Sequence, residues 1–175
     1  PSANNLASAI NAAGIAGLTA TANANVVEGE QDSSYYQYYA PQGILTINGV
    51  DIGLSANKTS SMTSNIATTI NAINQMSAQT GVVAQNGFSD GKGVVLTAAD
   101  GRTITVTFQA TDVGNQTAPD YSTTAGNFGV AITGAAGQTG TIDLAYLAPT
   151  GVLTGDVTFS ASTGLTQTNF DVVGE

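Results

Sequence analysis

Histidine and cysteine are both absent from this chain, and lysine and arginine together occur only three times, as Lys58, Lys92 and Arg102. Each absence closes a class of function. Without histidine there is no Ser-His-Asp triad, no Cys-His dyad, no histidine-rich zinc site and no HExxH helix. Without cysteine there is no disulfide and no thiol chemistry. That absence does not fix a compartment, but it suits a protein exported unfolded. Three scattered cations cannot displace counterions from phosphates, so nucleic acid is not an expected partner. An anionic membrane surface is disfavoured for the same reason. No apolar run is long enough to span a bilayer, and no signal-peptide pattern opens the chain at Pro1. The sequence also lacks the D-x-[DN]-x-[DN]-G calcium loop, the GxxxxGK[ST] phosphate loop and a GxGxxG between strand and helix.

What remains is a folding chain. Hydrophobic residues make up 42% of 175, which excludes a disordered tail and provides core for one domain or two small ones. Twelve acidic residues give a net charge of −9, a source of solubility and of repulsion between copies. Ser, Thr, Asn, Gln, Ala and Gly occupy the surface in place of Lys and Glu. The chain begins at Pro1 and ends at Glu175, and is expected to be a fragment of a longer protein.

The strongest local signal lies in "GILTINGVDIGLSANKTSSM", Gly43 to Met62. Leu45 and Ile47 alternate with Thr46, and Val50, Ile52 and Leu54 alternate with Asp51 and Gly53. Asn48-Gly49 joins the two runs, which predicts a β-hairpin with a type I′ turn. A helix is predicted next, with Met62, Ile66, Ile70, Ile73 and Met76 on one face. Ser60 or Ser61 is its expected N-cap and Gly81 lies past its end. Val82 to Gln85 reads as a strand. "VVLTA" (94–98) and "TITVTFQ" (103–109) flank Asp100-Gly101 and predict a second hairpin, with Ile104, Val106 and Phe108 on one face. Residues 43–109 are therefore expected to form an α+β unit, one helix on an antiparallel sheet.

An earlier stretch repeats part of this pattern. Ala7, Ile10, Asn11 and Ala12 match Ala67, Ile70, Asn71 and Ala72; Gly17 and Ala20 then match Gly81 and Ala84 after four extra residues. This predicts an internal duplication. The first helix, near Asn4 to Ala13, has its apolar stripe at Leu6, Ile10 and Ala13. The hairpin that should precede it would lie before Pro1, so its covering sheet is expected from strands between Thr141 and Val173. "FGVAIT" (128–133), "TIDLAYL" (141–147), "DVTFSA" (156–161) and "FDVV" (170–173) are the short alternating runs. Residues 28–43, with four tyrosines, and the loop-like 111–127 resist assignment.

"LTINGVDI", a Ser/Thr segment, "IATTINAINQ" and "TGVVAQ", in that order, resemble the flagellin "IN" motif. "LTAADGRTITV" (Leu96 to Val106) resembles the stretch that follows it in many flagellins. The resemblance covers roughly residues 43–106, with a partial second copy at 4–27. It implies a non-enzymatic, surface-exposed variable domain of a bacterial flagellar filament protein, extracellular and without the helical segments that polymerise. It implies partnership with other flagellin subunits through core segments that are not in this sequence. A filament-cap or hook-associated domain is the alternative within the class. A carbohydrate-binding, adhesive module with glycan or host-surface contacts is the alternative outside it.

No catalytic, cofactor-binding or metal residue is assigned. The best cluster for two-carboxylate chemistry or sugar stacking is Glu28, Glu30 and Asp32 with Tyr35, Tyr36, Tyr38 and Tyr39; its plainer reading is an acidic loop with packing tyrosines. Asn57-Lys58-Thr59 and Asn115-Gln116-Thr117 fit the N-glycosylation pattern, and Ser/Thr of 111–127 are candidates for O-linked sugar. The expected class is α+β, mostly antiparallel, with one helix per repeated unit and two small subdomains. The inner subdomain is expected to comprise 1–42 plus about 140–175, and the outer one 43–139.

Overall fold

The computed structural model describes residues 2–30, 41–57, 60–87, 92–111, 125–132 and 139–147. They form an α+β fold dominated by antiparallel strands, as the sequence predicts. The central element is the predicted hairpin, β3 (Gln42–Ile47) and β4 (Val50–Ser55), paired from Gln42↔Ser55 to Ile47↔Val50. Its loop is Asn48-Gly49 alone, with φ of 51° and 82°. Two consecutive positive φ values define the type I′ turn, and glycine meets the second at no steric cost.

The helix follows as predicted. α2 spans Met62–Gln75, and Ser61 caps it by accepting a hydrogen bond from the Ser64 backbone N–H at 3.2 Å. A further turn, α3 (Ser77–Thr80), ends at Gly81 in the left-handed region, φ 70°. β5 (Val83–Asn86) comes next and pairs with β6 (Val94–Ala98).

The second predicted hairpin does not form. β6 pairs with β2 (Asn25–Glu28) and β5, whereas β7 (Val106–Ala110) pairs with β3 on the edge away from β4. The result is two three-stranded sheets, β2-β6-β5 and β4-β3-β7, with the chain crossing between them at residues 99–105. The physical reason lies in the turn. Gly101 has a positive φ but Asp100 does not, so the dipeptide cannot make a type I′ loop. Asp100 instead folds its carboxylate onto Arg102, and Ile104 drops into the core.

α2 packs against β5 and β4, one strand from each sheet. Ile66 and Ile73 are fully buried in one cluster with Leu45, Ile47, Leu96, Ile104 and Val106. Side chains of this size each contribute about 1.5–3 kcal/mol on burial. Ile70 lies at the cluster's margin, half-buried. The described part of "FGVAIT", residues 128–132, forms no strand. A 3-10 turn, Ala125–Phe128, places Phe128 in the core with its ring 5.5 Å from that of Phe108. Positive φ at Gly129 then breaks the alternation, leaving a single bridge from Ala131 to Glu30.

A second, smaller unit holds the first helix. α1 (Ala3–Ala12) packs on β1 (Leu18–Ala22) and β8 (Ile142–Tyr146). β1 and β8 pair antiparallel from Leu18↔Tyr146 to Ala22↔Ile142. β8 is "TIDLAYL", within the segment expected to supply the sheet; "DVTFSA" and "FDVV" lie outside the described residues. The buried centre of α1 is Ala3 and Ala7, with Leu6 and Ile10 half-covered and Ala13 exposed, which corrects the expected stripe. Small side chains sit at the centre because the 100–102 turn comes close there. β2, which follows β1 closely and lies in the expected inner grouping, pairs instead with β6 of the larger unit.

Candidate functional site

Among the described residues, the buried polar side chains are amides and hydroxyls: Asn25, Asn65, Thr69, Thr80 and Asn127. Several asparagines use both ends of the carboxamide on one backbone residue. Asn74, on α2, donates through Nδ2 to the Ala84 carbonyl at 3.0 Å and accepts the Ala84 N–H through Oδ1 at 2.7 Å. Asn11, on α1, does the same to Ala20, at 2.8 Å and 2.7 Å. β5 and β1 are edge strands of their sheets among the described residues. Ala84 and Ala20 turn these groups away from the neighbouring strand, so each helix asparagine closes part of an exposed strand edge. Asn65 holds Asn57 in the same way, 3.0 Å at both atoms, tying α2 to the chain leaving β4.

This arrangement makes the duplication visible and corrects its alignment. Asn11 corresponds to Asn74, not to the exposed Asn71. Ala9-Ile10-Asn11 then matches Ala72-Ile73-Asn74, and Gly17 to Ala20 matches Gly81 to Ala84 with one extra residue in place of four. Ala20 faces Leu144 across its sheet and Ala84 faces Leu96, so the partner strands correspond as well. The repeated "AIN…G-x-x-A" was the available sequence signal. Matching by helix identity alone set the register wrong by about one helical turn.

Asn48 joins three elements. Its Nδ2 donates to the Thr80 carbonyl at 2.9 Å, and its Oδ1 accepts the Thr105 N–H at 2.8 Å and the Thr105 hydroxyl at 3.2 Å. The hairpin tip is thereby fixed to the end of α3 and to the crossing before β7.

The acidic cluster is only partly described. Glu28 and Glu30 are both exposed. Lys92 Nζ lies 2.5 Å from Glu28 Oε1, in an exposed ion pair worth about 0–1 kcal/mol. The Glu30 backbone makes the bridge to Ala131. Asp32 and Tyr35, Tyr36, Tyr38 and Tyr39 lie outside the described residues, as do Lys58 and Thr59, the 115–117 sequon and nearly all of the 111–127 loop. Asn57 is exposed, with its backbone held by Asn65. Among the described residues, no group of three or more acidic side chains gathers as a metal site. No described helix is long and apolar enough to cross a membrane.

The other ion pair is Asp100–Arg102, 2.7 Å, with both side chains 42% exposed. Hydrogen bonding to the Arg102 guanidinium holds the Asp100 carboxyl below the usual carboxylate range, and the same bonds raise Arg102. Arg102 also lies against Gly81, where a side chain would collide with the guanidinium. Asn4 of α1 reaches Asp100 at 3.4 Å, so this pair sits where the two units meet.

No family model matches the chain, and no curated protein matches it.

Proposed function

We propose that this chain is a structural, non-enzymatic module exposed on the outside of a bacterial flagellar filament, a variable domain of a flagellin-like subunit. The observation that carries the reading is the order hairpin, capped helix, strand. Asn48-Gly49 makes the turn, and the "INAINQ" segment supplies the helix asparagine that staples the next strand. These are the residues that carry the resemblance, and each has a mechanical role. The chemistry on the described surface also suits a scaffold: exposed ion pairs are few, and the buried polar groups are spent on holding the chain to itself. Neighbouring subunits would be engaged through segments outside this sequence, and the localisation would be extracellular.

Shearing flagella from cells that produce the protein tests this. Peptides of this chain should co-purify with the filament in the same stoichiometry as its main subunit. Trace recovery, confined to the filament tip, would favour a cap or hook-associated protein. Recovery only in the cell pellet would overturn the reading.

A further inference from the structure

The chain has two Asn-Gly pairs, Asn48-Gly49 and Asn86-Gly87. Such a pair carries its own chemistry. The backbone nitrogen of the glycine attacks the asparagine Cγ and loses its proton. Ammonia leaves with the asparagine's Nδ2, and a five-membered succinimide forms. Water then opens that ring to aspartate or isoaspartate. Glycine permits the reaction best because no side chain blocks the approach. The reaction requires only that the carboxamide swing until Cγ meets the following nitrogen.

We infer that Asn48 is a fold-gated deamidation site, protected when the hairpin is docked and reactive when it is not. In the folded chain the carboxamide is held at both ends. Nδ2, the atom that must leave, donates to the Thr80 carbonyl at 2.9 Å. Oδ1 accepts from the Thr105 N–H at 2.8 Å and the Thr105 hydroxyl at 3.2 Å. The Asn48 N–H itself donates to the Thr105 carbonyl at 3.0 Å, which holds the backbone in place beside the side chain. Ring closure breaks the side-chain bonds together, so it proceeds only through local opening of the hairpin tip.

The modification would not be silent. An aspartate at position 48 still accepts from Thr105 but has no hydrogen to give to Thr80. A carboxylate oxygen would face a carbonyl oxygen, leaving an unsatisfied and repelled pair at the joint of three elements. A chain that deamidates while unfolded would therefore fold into a weaker product, and time spent unfolded would be recorded at residue 48.

The test incubates the intact chain at mildly alkaline pH, folded in buffer and unfolded in urea, and follows amide-to-acid conversion by peptide mapping. In urea, Asn48 and Asn86 should convert at similar rates, which shows the chemistry to be active. In buffer, Asn48 should convert at least about tenfold more slowly than in urea, the protection expected of a site that reacts only on opening. Equal rates at Asn48 in the two conditions would overturn the proposal. The N48D variant should melt below wild type while G49A abolishes most conversion in urea. An N48D chain as stable as wild type would remove the claimed consequence.

Discussion

At the scale of single residues, this protein uses carboxamides where most soluble proteins use charge. A helix asparagine that both donates to and accepts from one strand residue satisfies two backbone groups at once, and it does so at any pH. N74A would leave the Ala84 N–H and carbonyl facing the helix without a partner. The expected cost is about 1–3 kcal/mol, seen as a lower urea midpoint, and N11A should act in the same direction on the smaller unit. An unchanged midpoint for N74A would mean that water replaces the staple freely. Gly49 is the other sensitive residue. Space around it is open, so only backbone conformation opposes a side chain there. G49V should lose about 1–2 kcal/mol or more, because its φ of 82° is foreign to a β-branched residue; a melting temperature equal to wild type would contradict the turn assignment.

Asp100 shows a residue-scale effect with a pH signature. Its carboxyl titrates lower in the folded chain than in the unfolded one because Arg102 hydrogen-bonds the charged form. Stability from this pair is therefore present above the unfolded value and is lost as pH falls through the folded value. Both side chains are well exposed, so the effect is small. Between neutral pH and about pH 3, wild type should lose slightly more stability than D100N. A larger loss in D100N would reverse the assignment.

At the scale of elements, α2 joins the two sheets, and its face is graded. Ile66 and Ile73 are fully buried, whereas Ile70 is half-buried. I73D would bury an unpaired charge, and its loss should be the larger, several kcal/mol or about the range of broken cores. I70D should lose clearly less. Thermal melts showing the reverse order would place the helix in a different rotation. Truncation obeys the same logic: Phe128 and Val130 are core residues, so a cut after Asn127 would open the larger unit, whereas a cut after Ile132 keeps those residues and removes β8 from the smaller one.

Elements also show where sequence suffices and where it stops. The Asn48-Gly49 hairpin, the Ser61 cap, the Gly81 stop and β8 were legible, since each rests on local backbone rules. The pairing of β6 and β7 was not, because alternation identifies a buried face and is silent on the neighbour. Asp100-Gly101 looked like a hairpin loop, yet a side-chain bond to Arg102 set a different turn. The Asn74 staple was hidden because a half-buried asparagine in a helix looks like an ordinary polar position. Its meaning lies ten residues further along the chain, at Ala84.

At the scale of the whole molecule, the repeated helix–strand unit, the asparagines that close part of two strand edges and the negative charge are features that suit the exposed scaffold proposed above. The central claim is that this scaffold faces outward along a filament. Immunogold electron microscopy of unsheared cells, using antibodies raised against the folded chain, tests it most directly. The account predicts gold along the full length of intact flagella. Filaments left bare while the cell body is labelled would contradict it.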